Sequence, residues 1–186
     1  EAILYLRRHG WTGDDTFSIG TAAGPVIPTI TSERTCAVEM GRASTTSKDF
    51  PSGPADGRGR LDAAGCEWDF QHVSIGNPQC AIVVGDELDE LDLGEIGPPI
   101  EGHELFPNRT NVSFLRIDDG RVRARIFERG VGETLSSGTG ASGAAVTAFL
   151  RGAASPIVVE LEGGELEVEI GADLAVRLTG WAEPVY

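Results

Sequence analysis

The segment Glu128-Arg129-Gly130-Val131-Gly132-Glu133-Thr134-Leu135-Ser136-Ser137-Gly138-Thr139-Gly140-Ala141-Ser142 gathers a charged pair, closely spaced glycines and a cluster of hydroxyls. It runs directly into the small, apolar stretch Gly143-Ala144-Ala145-Val146-Thr147-Ala148-Phe149-Leu150. Glycine lets a backbone approach a ligand closely and adopt positive φ. The first N–H groups of a helix have no partner inside it and lie at the positive end of its dipole. A glycine-rich loop feeding a helix therefore suits an anion such as a carboxylate or phosphate. The same pattern also serves a helix that needs only a flexible entry and hydroxyl caps. Arg129 offers a planar fork that matches a carboxylate. Asn77 and Asn111 carry amides that can both donate and accept. Each has a plainer reading: Asn77 before Pro78 as a turn residue, Asn111 as a strand start, Glu128-Arg129 as a solvated pair.

The elements that must position these groups are legible in outline. Thr139 to Leu150 reads as a buried helix, and Glu1 to Arg8 as an amphipathic one with Gly10 as its stop. Strand-like runs are predicted at Thr16–Ile19, Val26–Ile30, Cys36–Met40, Trp68–Val73, Cys80–Val84, Asn111–Ile117, Arg121–Phe127, Ile157–Leu161, Leu166–Ile170 and Leu174–Leu178. Asp118-Asp119-Gly120 is a hairpin turn, and Glu162-Gly163-Gly164 and Gly171-Ala172-Asp173 predict two more. Leu88 and Leu91 fall at helical spacing within Asp86–Gly94. Ser44 to Gly65, rich in Gly, Pro, Ser and Asp, reads as a linker or long loop and a candidate domain boundary. Many strands around one apolar helix predict an α+β fold in which a curled sheet wraps that helix.

Composition narrows the function. The 186 residues carry a formal net charge of −14, with 40% hydrophobic and 24% charged residues. So acidic a chain is a poor partner for nucleic acid or for an anionic membrane surface. No run approaches the length of a membrane span. Cys36, Cys66 and Cys80 are odd in number and unevenly spaced, which predicts reduced thiols and a cytoplasmic setting. His9, His72 and His103 have no metal-ligand spacing, so no metal is expected.

The residues also carry a resemblance. Glu128-Arg129-Gly130-x-Gly132-Glu133-Thr134-x-x-Ser137-Gly138-Thr139-Gly140-Ala141 closely resembles the signature of the diaminopimelate epimerase family, in which a cysteine normally stands where Ser137 stands. Three further blocks follow the family's order. They are Gly76-Asn77-Pro78-Gln79-Cys80, where the family usually has His at the position of Gln79; Gly97-Pro98-x-Ile100-Glu101 with Phe106-Pro107-Asn108-Arg109-Thr110-Asn111-Val112; and Gly163-Gly164-x-Leu166 with Leu178-x-Gly180.

The resemblance implies two pseudo-symmetric, mixed β-barrel-like halves, each around a central helix, with the active site between them. Residues 1–60 would belong to the N-terminal half, 61–180 would form the C-terminal half, and 181–186 would return as a strand to the first. The family carries earlier strands and a Gly-Asn-Gly-x-x-Cys motif, so the first half is expected to be incomplete here. Glu1 would fall about where the first catalytic cysteine lies.

The implied chemistry removes an α-proton and returns it on the opposite face, with no cofactor. The implied catalytic residues are Ser137, Glu128 and Glu1, and the implied substrate-binding residues are Asn77, Asn111, Glu128, Arg129, Gly138 and Thr139. His103, Arg109 and Glu101 read as loop structure or support. Diaminopimelate is the expected substrate, and a homodimer is compatible with the family. A serine hydroxyl ionises far less readily than a thiol, so Ser137 suits proton donation or relay better than abstraction. Two other readings stay open: a relative that binds an amino acid without epimerising it, and a carboxylate-based isomerase of the same fold, as in phenazine biosynthesis.

Overall fold

The computed structural model describes residues 2–21 and 24–182. Helix α1 (Ala2–Arg8) is followed by β1 (Ile19–Thr21), β2 (Gly24–Val26), β3 (Pro28–Ile30) and β4 (Thr35–Arg42). Then come β5 (Arg58–Ala63), β6 (Cys66–Ser74), β7 (Pro78–Val83), a 3₁₀ turn (Asp86–Glu90) and α2 (Leu93–Glu101). The chain continues through β8 (Asn111–Asp118), β9 (Arg121–Glu128), β10 (Gly132–Thr134) and α3 (Gly138–Leu150). It finishes with β11 (Ile157–Leu161), β12 (Gly164–Ile170) and β13 (Ala175–Trp181).

One 11-stranded sheet runs in the order β3-β4-β13-β12-β11-β9-β8-β7-β6-β5, with β10 beside β9, and β1 and β2 pair separately. The β7–β8 and β9–β11 pairs are parallel; the other pairs are antiparallel. The sheet curls around α3, which touches β6, β7, β8, β9, β11, β12 and β13. Alternation on β9 shows why. Val122, Ala124 and Ile126 turn inward to the α3 core, while Arg121, Arg123 and Arg125 turn outward. Helix α3 is buried from Gly140 to Ala148, and its small side chains let strands approach from many sides. Its buried hydroxyls bond within the helix: Ser142 Oγ donates to Gly138 O and Thr147 Oγ1 to Gly143 O, both at 2.8 Å.

A second core lies on the outer face of the same sheet. Cys80 and Ile82 of β7, Val112 and Phe114 of β8 and Phe127 of β9 pack there against Leu93 and Ile100 of α2. Strands β7 and β8 are thus covered on both faces, which explains their nearly continuous burial. Trp181 of β13 pairs with Thr35 of β4, so the last described strand joins α3's sheet to the α1 side, where α1 packs on β3 and β4. The end of β4 meets the end of β6 through a lone bridge, with Ser44 and Ser74 exchanging N–H···O bonds of 2.9 and 2.7 Å. The curl is therefore tied there by a bridge and not closed by a ladder.

Two expectations need correction. Ser44–Gly65 is not a free linker. It contains β5 and buries Phe50 and Leu61 in the second core. Its polar sequence hid an edge strand. The helix expected at Asp86–Gly94 is a 3₁₀ turn, and the true helix α2 begins later and contains Pro98 and Pro99. Proline inside a helix removes hydrogen bonds and masks the pattern. Asp92 starts α2 by accepting from the N–H groups of Gly94 and Glu95. The predicted hairpin is present: Asp118 pairs with Arg121, and Asp119 and Gly120 take φ of 41° and 81°.

Candidate active site

The ends of β6 and β9 and the starts of β7, β8 and α3 meet at one place. Ser137 is the N-cap of α3, buried and extended (φ −148°, ψ 118°), and its hydroxyl oxygen accepts from Gly140 N at 3.2 Å. The N–H groups of Gly138 and Thr139 have no acceptor among the described residues. No acidic residue stands in the first turn, so the positive end of the helix is uncompensated there.

Thr139 ties this turn to the β6–β7 connection, where Asn77 Nδ2 donates to Thr139 Oγ1 at 3.2 Å. Gln79, fully buried, donates through Nε2 to Asn77 Oδ1 at 2.9 Å. Across the parallel β7–β8 pair, Asn111 is in register with Gln79. Its Nδ2 donates to Pro78 O at 3.0 Å, and its Oδ1 accepts from Arg129 N at 2.9 Å. Arg129 Nη1 donates to Asn108 O at 2.9 Å. The structure thus brings Asn77, Asn111, Arg129, Gly138, Thr139 and Ser137 together.

These bonds revise the reading of the two asparagines. Each oxygen already accepts from a protein donor, and each NH₂ group spends one hydrogen on the protein and keeps one. Both therefore favour a ligand acceptor such as a carboxylate. Glu128 is half-buried, and its side chain has no hydrogen-bond or ion-pair partner among the described residues. It makes no hydrogen bond to Ser137, so the activation expected from sequence is not formed in this structure. Glu1 lies outside the described residues.

Glu101 plays a larger part than its position in a loop-like block suggested. Its buried carboxylate accepts from Gly130 N at 2.6 Å and from Arg109 Nη2 at 2.8 Å. It anchors the Glu128–Gly132 turn to the end of α2, where Gly130 and Gly132 take φ of 76° and 106°. Asn108, not singled out in the sequence, donates to the buried Asp49 at 2.9 Å while its carbonyl holds Arg129. Nothing local in the sequence marks that role, because Asp49 is distant along the chain. Among the described residues, no group of three or more His, Cys, Asp or Glu side chains could hold a metal ion. No described helix is long and apolar enough to cross a membrane.

Comparison with known proteins shows the family. Residues 71–183 match the sequence profile of the diaminopimelate epimerase family. The chain is 38% identical over 193 residues to a diaminopimelate epimerase of Synechococcus sp. (strain JA-3-3Ab), covering 98% of this chain and 68% of that protein. It is 38% identical over 188 residues to the chloroplastic diaminopimelate epimerase of Oryza sativa subsp. japonica, covering 94% of this chain and 53% of that protein. The second match spans about half of the relative's length. Among solved structures, a predicted epimerase from Pseudomonas aeruginosa shares the fold with a TM-score of 0.61 at 20% identity, covering 100% of this chain and 72% of that one. The profile covers more than half of this chain and the Synechococcus relative is covered over more than two thirds of its length, so the chain belongs to the diaminopimelate epimerase family.

Proposed function

We propose that this chain carries one face of the active site of a cofactor-independent epimerase that interconverts LL- and meso-diaminopimelate, in the synthesis of lysine and peptidoglycan precursors. The observation that carries the reading is the hydrogen-bonded cluster of Asn77, Thr139, Asn111 and Arg129 around the open N–H groups of α3. A substrate carboxylate bound there meets Gly138 and Thr139 N–H, the spare N–H groups of Asn77 and Asn111, and the Arg129 guanidinium. Glu128, whose side chain has no partner among the described residues, is the group we assign to a substrate ammonium.

Taking the α-proton breaks the Cα–H bond and leaves the electron pair delocalised into that carboxylate. Oriented donors stabilise such charge where it develops. A proton delivered to the opposite face forms the new C–H bond and inverts the centre. Ser137 is assigned to one face as proton donor or relay. Glu128 serves as its activator once substrate draws the two together, and Glu1 is assigned to the other face. On this reading residues 1–60 and 61–180 are the two halves flanking the substrate, and residues 181–186 return to the first. The free thiols Cys36, Cys66 and Cys80 support a cytoplasmic setting.

A second reading, binding without inversion, is favoured by Ser137 itself. Its hydroxyl is engaged as a helix cap, and no base lies within hydrogen-bond distance among the described residues. Incubating the full-length protein with LL-diaminopimelate in D₂O separates the two. An epimerase incorporates deuterium at the α-carbon and yields the meso isomer. A binder does neither, yet its melting temperature rises with ligand. Absence of exchange, inversion and thermal shift together would sink both readings.

A further inference from the structure

Gln79 faces α3 from β7, and no part of it reaches solvent. A methyl group at Gly143 would come within 2.9 Å of Gln79 Cγ and 3.0 Å of its Cβ, so glycine on α3 makes the room this side chain occupies. Its Nε2 bonds Asn77, whereas its Oε1 has no hydrogen-bond partner. An apolar side chain of the same volume would fill that space and leave no buried orphan. The one described polar atom that the Gln79 side chain serves outside its own residue is Asn77 Oδ1.

The relay Gln79–Asn77–Thr139 has a direction. Written in reverse, Gln79 Oε1 would accept from Asn77 Nδ2, and Asn77 Oδ1 would accept from the Thr139 hydroxyl. The buried orphan would then be an NH₂ group with two unmet donors in place of one carbonyl oxygen, which costs more. In the observed direction Asn77 keeps an N–H to offer beside the open N–H groups of α3. In reverse it would turn its oxygen to the ligand and repel a carboxylate.

We infer that Gln79 is a positioning residue that sets the polarity of Asn77 and so makes the site a carboxylate acceptor. The ligand half of this inference rests on the proposed epimerase reading; the relay itself does not. Gln79→Met keeps length and packing and removes the donor. Gln79→Glu keeps shape and, when ionised, can only accept, so it draws the Asn77 N–H to itself. In ligand-free protein both variants should shift the Asn77 side-chain amide resonances, and Gln79→Met should also speed their exchange with solvent.

With LL-diaminopimelate, KM should rise about tenfold in Gln79→Met and further in Gln79→Glu, with a smaller change in kcat. Gln79→His, whose ring N–H can replace the donor, should recover most of the loss. Unmoved Asn77 resonances in both variants overturn the inference. Shifted resonances with unchanged KM overturn its ligand half. If the unmodified protein neither binds nor turns over diaminopimelate, the functional reading falls, while the ligand-free resonances still decide the relay. Should these variants fail to fold, the unmodified protein decides it. The side-chain amide protons of Gln79 should then exchange far more slowly than those of a free amide, and fast exchange overturns the relay.

Discussion

Ser137 shows how much one atom can alter a site whose scaffold is otherwise in place. Its hydroxyl oxygen caps α3 by accepting from Gly140, and its proton remains available to donate. A thiol there would lie at the positive end of a helix, which lowers its pKa below the free value of about 8.5. Ser137→Cys should therefore gain a fast-alkylating thiol whose rate against pH has its midpoint below that value and falls when diaminopimelate is present. The native background is readily separated. Cys80 is wholly buried and Cys36 half-buried, and burial pushes both thiols up, so the exposed Cys66 is the native thiol that should react first. A new thiol that titrates like free cysteine and is not shielded by ligand would remove Ser137 from the site. The resemblance singled out Ser137 because its block is contiguous. Its missing link to Glu128 was not legible, since that depends on how Asn111, Asn108 and Glu101 hold the β9–β10 turn.

Helix α3 is legible as a buried element because it lacks a polar face, yet its small residues are placed for specific neighbours. A Cβ at Gly140 would come within 2.5 Å of Ile126 Cδ1, and one at Gly143 within 2.9 Å of Gln79. In an exposed helix, Gly→Ala is worth up to about 1 kcal/mol of added stability. Here the neighbour is fully buried and hydrogen-bonded, so overpacking by about 1–3 kcal/mol should win. Gly143→Ala is expected to lower the melting temperature by about 2–4 °C for each kcal/mol lost, read by calorimetry. An unchanged or higher value would mean that Gln79 yields freely. The β8–β9 hairpin was readable from Asp119-Gly120 alone. Helix α2 was not, because Pro98 and Pro99 disguise it, and β5 was not, because an edge strand with few buried side chains resembles a polar loop.

Across the whole molecule, the sheet links distant parts of the chain, and His72 reports on its integrity. It sits buried on β6, with Nε2 2.9 Å from Ser47 Oγ and its ring 5.4 Å from that of Phe50. Burial pushes its pKa below 6.5, against the pull of Asp49. Above about pH 6.5 the imidazole is neutral in both folded and unfolded chains. As pH falls from there toward the lower folded value, the unfolded chain takes the proton first, so stability declines and then levels once both forms are charged. Urea midpoints measured between about pH 7 and pH 5 should fall more steeply in the unmodified protein than in His72→Gln. Parallel curves would show that His72 contributes nothing to the slope.

The sequence by itself determined the hairpins, the buried helix and the order of the site blocks, because turn chemistry, apolar periodicity and contiguous motifs are local properties. It placed Asn77, Asn111 and Arg129 among the candidates but left open which end of each amide a ligand would meet. Only the tertiary structure decided that. The partners lie far along the chain: Thr139 is 62 residues from Asn77, Arg129 is 18 from Asn111, and Gly130 is 29 from the Glu101 that holds it. Strand register and the packing of α3 against β7 bring these groups within hydrogen-bond distance. An amide in a sequence can donate or accept, and it is committed only when folding supplies a partner for one end.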